Sequence, residues 1–269
     1  MNPPITYYGG KQMIANEIVS LMPLHSVYVE VFCGGAAVLY AKPLNPRIRE
    51  VLCDKFDAII TFFQVLRDEE KCRQLIEQLE FTPFAETELI NARAVLKEIG
   101  KHSDIEVARC VFVACMQTFG AGVDNGFARS RSRTSRLISF HNRKSVLQQA
   151  GKRILNAEIL KMDALKSIQY FDSEETLFYC DPPYLDTDCG HYSDYTVEDY
   201  EALLEALSNI KGKFILSGYP NEWADACGFH VHDIATLKRM NNVSGSNAKI
   251  KIERVWMNFQ HAHKQQALF

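Results

Sequence analysis

Val27-Tyr28-Val29-Glu30-Val31 runs directly into Phe32-Cys33-Gly34-Gly35; Ala36 to Lys42 and Arg47 to Cys53 follow, and then Asp54. The first five residues are mostly β-branched or aromatic, which suits a pleated, buried strand. Two adjacent glycines let the backbone turn sharply and approach a ligand closely. Ala36 to Lys42 is built largely from good helix formers, and Arg47 to Cys53 reads as a second strand. The order is strand, glycine turn, helix, strand, acid, with the acid about 20 residues beyond the glycines. That is the layout of a mononucleotide-binding β-α-β unit.

Outward from this unit the alternation breaks and then returns. Lys11 to Met22 reads as a short amphipathic helix. After Asp54 come helical patterns over Phe56–Asp68, Glu69–Glu80, Glu86–Ile99 and Asp104–Thr118, the last apolar nearly all round. From Phe119 to Ser135 the periodicity stops and Gly, Ser and Arg dominate, which predicts a loop or irregular hairpin. Asn142 to Leu155 reads as helix. Strands and helices then alternate again. Ala157–Met162, Thr176–Cys180, Lys213–Ser217, Phe229–Ile234 and Lys251–Phe259 read as strands, and Val197–Ile210 and Asn221–Cys227 as helices. The expected architecture is α/β, a mostly parallel sheet with helices on both faces. Residues 1–56 and 156–269 form its sheet domain, and 57–155 is an inserted helical domain.

With 269 residues, 47% of them hydrophobic, the chain can bury a core without disulfide or metal staples. No run of about 18 apolar residues predicts a transmembrane helix. The opening residues lack the basic-then-apolar layout of a secretory signal, and the eight cysteines form no Cys-x-x-Cys pair. Both observations predict a cytoplasmic protein with reduced thiols. The net charge of −3 hides an asymmetry. Between Gln117 and Arg153 eight basic residues face one acid, a net of +7, which leaves −10 on the remainder. Charge sorted in this way points to a polyanionic partner at one place.

Four stretches could carry chemistry. Asp181-Pro182-Pro183-Tyr184 follows an apolar strand, where open α/β sheets place their ligands. Two prolines stiffen the loop and leave a carboxylate, a free carbonyl and an aromatic face on offer. Such groups suit a planar ligand bearing an amino group, which donates to the acceptors while its ring stacks. A plain turn with a capping Asp is the competing reading. Phe32-Cys33-Gly34-Gly35-Ala36 lacks the dinucleotide Gly-x-Gly-x-x-Gly pattern; Asp54 beyond it is either a ribose acceptor or a helix N-cap. Glu30 needs a partner, a ligand or a base, because its strand position is buried. Tyr7-Tyr8-Gly9-Gly10-Lys11 is not a phosphate loop, since Ile5 and Gln12 stand where glycine and Ser or Thr would be required. Arg129, Arg131, Arg133 and Arg136, interleaved with serines, suit phosphate contacts, or else a solvated loop. His230/His232 and His261/His263 lack further ligands, so no metal is expected.

Together these residues resemble the Dam-like DNA adenine methyltransferases, which use S-adenosylmethionine. Tyr7 to Lys11 is similar to the family's aromatic-x-Gly-Gly-Lys motif, and Tyr28 to Ala36 to its Glu-Pro-Phe-x-Gly-x-Gly motif. Val31 stands in place of the Pro and Ala36 in place of the second Gly. Asp54 and Asp163 match the acids after the second and third strands, and Asp181 to Tyr184 the catalytic tetrapeptide. Val255-Trp256-Met257-Asn258 is similar to the closing strand. The resemblance implies a Rossmann-like methyltransferase sheet with an antiparallel last strand, and a helical insertion that recognises the target. It implies that Tyr7, Lys11 and Asp54 contact the cofactor, that Glu30, Phe32 and Gly34 shape its pocket, and that Asp163 lies near its adenine. It further implies that Asp181 and the Pro182 carbonyl hold the amino group of a flipped adenine on which Tyr184 stacks. Double-stranded DNA is then the partner of Arg129, Arg131, Arg133, Arg136, Arg143 and Lys144, with a monomer expected.

Two other readings remain open on the sequence. One is an amino-methyltransferase acting on cytosine, an RNA base or a protein amide. The other is a DNA-binding protein with a vestigial pocket. A nucleotide-dependent oxidoreductase lacks the dinucleotide fingerprint.

Overall fold

The structure, a computed structural model, describes residues 1–118, 126–129, 135–184, 195–238 and 249–261. Seven strands form one sheet in the order β3-β2-β1-β4-β5-β7-β6. They are β1 (Val27–Glu30), β2 (Arg49–Asp54), β3 (Glu158–Lys161), β4 (Thr176–Cys180), β5 (Lys213–Gly218), β6 (His230–Lys238) and β7 (Lys249–Met257). β1 to β5 pair in parallel. β7 inserts between β5 and β6 and runs antiparallel to both. The predicted sheet, with its antiparallel last strand, is therefore the one observed.

Strand alternation divides the sheet side chains between two layers. Tyr28, Leu52, Tyr179, Ile215 and Val255 face one layer, and Val29, Val51, Phe178, Phe214 and Trp256 the other. The second face is covered by α9 (Ala164–Phe171), α10 (Val197–Ser208) and α11 (Glu222–Ala226). On the first face lie α1 (Ala15–Leu21), α2 (Ala37–Ala41) and α3 (Asp57–Arg67), followed outward by α4 (Glu69–Glu80), α5 (Glu86–Lys97), α6 (Asp104–Gln117), α7 (Ser135–Lys144) and α8 (Leu147–Arg153). Phe62, Phe63, Leu75, Val111 and Phe112 of this helical block share one continuous core with Tyr28 and Leu52 of the sheet.

Local chemistry sets the boundaries. Asp68, Ser103 and Thr196 cap α4, α6 and α10 by accepting amide hydrogen bonds from their first turns. The helix expected from Lys11 begins only at Ala15, because Lys11 to Ile14 forms a turn. The helix expected over 142–155 is two helices, broken where the Val146 amide turns back to the Arg143 carbonyl. α9 was not expected at all. Its N-cap is Asp163, whose Oδ1 accepts from the Leu165 and Lys166 amides.

Polar ties bind the block to the sheet. The Arg153 guanidinium of α8 and the Lys42 ammonium both reach the buried Glu50 carboxylate of β2, at 2.7 and 3.0 Å. A Cβ on Gly151 would lie 2.0 Å from the Leu66 carbonyl oxygen, so α8 meets the end of α3 backbone to backbone.

Candidate active site

β1 is the strand at which the chain changes direction across the sheet: β2 and β3 lie on one side of it, β4 and β5 on the other. Ligands of open α/β sheets bind at the carboxyl ends of the strands beside such a switch point. The glycine turn leaves β1 there, and Asp181 leaves β4 there.

In the turn, Gly34 has φ +43° and Ala36 φ +53°. A Cβ at Gly34 would come 2.8 Å from Tyr7 Cδ1, and one at Gly35 2.9 Å from Tyr7 Cβ. The Tyr7 ring thus lies flush on the turn because nothing projects from it. The Gly34 amide donates to Asp54 Oδ2 at 3.0 Å, and the Phe56 amide to Asp54 Oδ1 at 2.9 Å. Asp54 is buried and holds the turn from behind; it is not among the cavity-lining residues. Asp163 also lies off the cavity, as the exposed cap of α9.

Glu30 is 2% exposed and lines the cavity. Its partners within the protein are a phenol and an amide. Oε1 accepts from the Tyr28 hydroxyl at 2.7 Å and from the Leu39 amide of α2 at 2.6 Å. Burial pushes its carboxyl up to about 8, against the pull of those two hydrogen bonds. The folded chain therefore holds this proton more tightly than the unfolded chain, whose carboxyl keeps the ordinary value of 4.5. The associated stability is complete below about pH 4.5 and is lost as the pH rises through about 8. Thermal melts should lose stability across that window, by at most about 5 kcal/mol. Glu30→Gln keeps the accepting oxygen and should flatten the slope; an unchanged slope would place its origin elsewhere.

Lys11 is 5% exposed. Its Nζ donates to Asp181 Oδ1 and Oδ2 at 2.7 and 2.8 Å and to the Gly9 carbonyl at 2.8 Å. The ammonium also stands 4.9 Å from the centre of the Tyr184 ring. Ser217 Oγ of β5 donates to Asp181 Oδ1 at 3.1 Å and pairs with the Tyr179 hydroxyl at 2.9 Å. The Tyr184 hydroxyl donates to Glu253 of β7 and sits 3.4 Å from Asp181 Oδ1. Burial, then the Asp181 and Glu253 carboxylates, push the Tyr184 phenol far up, so it stays a neutral donor. Ser217 and Glu253 are functional candidates that the sequence analysis missed.

Lys11, Asp181 and Tyr184 wall an open cleft lined also by Tyr7, Glu30, Phe32, Gly34 and Pro182, among others. The residues fit S-adenosylmethionine. A bare glycine turn leaves room for close backbone approach, Tyr7 and Phe32 offer rings, Asp181 offers a carboxylate to a cationic sulfonium, and Lys11 offers an ammonium to a carboxylate.

The expected DNA contacts divide. Lys144 is 3% exposed, its ammonium on the Leu79 carbonyl and 4.8 Å from the centre of the Phe140 ring. The expected DNA contact at Lys144 is thereby corrected: the buried side chain turns inward to a helix-end carbonyl and is not available on the surface. Arg143 is half-buried and donates to the Pro3 carbonyl at 2.5 Å. Arg129 is 75% exposed and pairs with Glu86 at 2.7 Å. Arg131, Arg133 and the Arg136 side chain lie outside the described residues.

Comparison with known proteins extends these observations. Two solved structures align over most of the chain. One is the precorrin-6y C5,15-methyltransferase from Geobacter metallireducens, at 9% identity and TM-score 0.36, covering 91% of this chain and 85% of that one. The other is the precorrin 8w decarboxylase from Methanobacterium thermoautotrophicum, at 10% identity and TM-score 0.39, covering 96% and 98%. No curated protein matches the chain. The sequence profile described as D12 class N6 adenine-specific DNA methyltransferase matches residues 7–266, and so spans nearly the whole chain. The chain belongs to the D12 class N6 adenine-specific DNA methyltransferases, and it transfers a methyl group from S-adenosylmethionine to the 6-amino group of adenine in DNA.

Proposed function

We propose that the target adenine is flipped out of double-stranded DNA and that Asp181, the Pro182 carbonyl and Tyr184 receive it. Tyr7, Lys11, Glu30, Phe32 and Gly34 line the cofactor side of the same cavity, and Asp54 acts there by holding the glycine turn in shape. The observation that carries this reading is the convergence of Lys11, Asp181, Ser217 and Tyr184 at the carboxyl end of β4, beside the glycine turn.

The chemistry asked of these residues is positioning. Bound S-adenosylmethionine supplies an electrophilic methyl group on a sulfonium. The amino nitrogen of adenine is a poor nucleophile because its lone pair is delocalised into the ring. Asp181 and the Pro182 carbonyl accept its two N–H bonds and draw the nitrogen toward tetrahedral geometry, which frees the lone pair. Tyr184 stacks on the base and fixes its plane. Preorganised acceptors and fixed geometry supply most of such an acceleration. Flipping costs a few kcal/mol of unstacking, which phosphate contacts offset.

We assign DNA recognition to the helical block of residues 57–155, with Arg129 as its contact on the described surface, in a monomeric enzyme. Asp163 then serves the cofactor side only by starting α9 correctly. The test uses duplex binding over a salt series, with the product of transfer digested to nucleosides. N6-methyl-2′-deoxyadenosine should be the methylated product. Arg129→Ala should reduce the slope of log affinity against log salt by about one. Lys144→Met should leave that slope alone and lower the melting temperature. Equal slope changes in both variants would sink the assignment of Arg129.

A further inference from the structure

We propose that Glu253 is a positioning residue for methyl transfer: it clamps the Tyr184 ring and neutralises Lys11 when Asp181 turns to the target amino group. The inference rests on the reading that Asp181 accepts that amino group.

Asp181 is already fully engaged in the protein as it stands. Both of its oxygens receive the Lys11 ammonium, and Oδ1 also receives the Ser217 hydroxyl. An incoming N–H must displace one of these donors. Lys11 is the only cation among the described residues lining the cavity. Its side chain is buried, so leaving it without a counter-charge would be strongly unfavourable. Glu253 offers the alternative. Its Oε1 lies 3.3 Å from Lys11 Nζ, with the carboxylate 10% exposed. The ammonium can shift its weight from one carboxylate to the other and keep its bond to the Gly9 carbonyl. Only a small displacement is needed.

The fold explains why β7 supplies this group. β7 runs back beside β5, with Val255 opposite Ser217 and Arg254 opposite Gly218, so Glu253 falls just past the end of β5. Its neighbour Arg254 points to Asp225 and Asp233 and does not neutralise it. The same Glu253 oxygen accepts the Tyr184 hydroxyl, so one carboxylate sets both the stacking ring and the lysine. Tyr219 meets the Tyr184 ring at a 65° tilt, with centroids 4.5 Å apart, and completes the clamp.

The experiment compares Glu253→Gln, which keeps an accepting oxygen and removes the charge, with Glu253→Asp, which keeps the charge. Single-turnover methyl transfer is measured on preformed enzyme–cofactor–DNA complexes, alongside dissociation constants for cofactor and duplex. Glu253→Gln should slow transfer about tenfold to a hundredfold, with both dissociation constants within about twofold of the parent. Glu253→Asp should recover part of the rate. In a Tyr184→Phe background the loss from Glu253→Gln should shrink, because one of its two routes of action is gone. A full rate in folded Glu253→Gln, or a loss confined to the dissociation constants, overturns the proposal. If Glu253→Gln does not fold, a Glu253→Asp variant as slow as Asp181→Ala overturns it too. A product other than N6-methyl-2′-deoxyadenosine from the parent protein would refute the adenine reading, while the rate ratios would still decide the role of Glu253.

Discussion

Asp181→Ala is expected to lower methyl transfer by about 10³-fold or more while leaving a folded protein. The size follows from what is removed. A preorganised group aimed at the reacting atom is commonly worth two to three orders of magnitude in rate, and Asp181 contributes the only ionised acceptor of the tetrapeptide. Folding survives because the substitution does not strand Lys11. Glu253 Oε1 remains 3.3 Å from the ammonium and the Gly9 carbonyl remains 2.8 Å from it. Losing one of two counter-ions of this buried lysine, with the other and a carbonyl still in place, should cost about 1–3 kcal/mol, well short of unfolding a domain of this size. Transfer of a labelled methyl group to duplex DNA, with a thermal melt on the same sample, checks both halves. Full activity in the folded variant would remove Asp181 from the reaction.

Gly34→Ala is expected to weaken cofactor binding at least about a hundredfold, which is roughly 3 kcal/mol. Two effects add. The residue has φ +43°, where a side chain is strained, and its new Cβ would lie 2.8 and 2.9 Å from Tyr7 Cδ1 and Cε1. The Tyr7 ring is buried against the turn and lines the cavity, so moving it off the new carbon alters the pocket wall. Gly228→Ala is the control: φ +71° imposes similar strain, but nothing lies within 4 Å of the added carbon. That variant should lose about 1 kcal/mol of stability and bind cofactor normally. Calorimetric titration of both proteins separates strain from collision. Parent-like affinity in Gly34→Ala would show that the turn does not shape the pocket.

The sheet was legible because its signals are local. Residues 27–54 spell out a strand, a turn, a helix and a second strand, and Thr176–Cys180 is a mostly apolar run that stays buried along its whole length before two prolines stop it. The left-handed φ of +53° at Ala36 makes glycine the easier occupant there, so the alanine in place of a family glycine carries some backbone strain. What escaped was direction. Spacing brings Asp54 close to the glycine turn, but only the fold shows that it turns inward to the Gly34 amide. Asp163 matches a family acid after the third strand, and only the fold shows that it caps α9. Lys144 counted as surface charge, although its stem and ammonium find an apolar bed and a carbonyl. Glu253 and Ser217 come from strands that reach Asp181 only after the sheet has closed around it, and no nearby spacing announces such a meeting.

The continuous core beneath the helical block has an evolutionary consequence. Phe62, Phe63 and Phe112 pack in the same core as Tyr28 and Leu52 of the sheet, and Arg153 is locked onto Glu50. The block therefore does not behave as a cassette to be exchanged between relatives. Deleting it would strip one face of the catalytic sheet, and grafting it elsewhere would leave its own phenylalanines uncovered. Variation within the block has to come by substitution on its outer surface and connecting segments, one side chain at a time, with the architecture inherited whole.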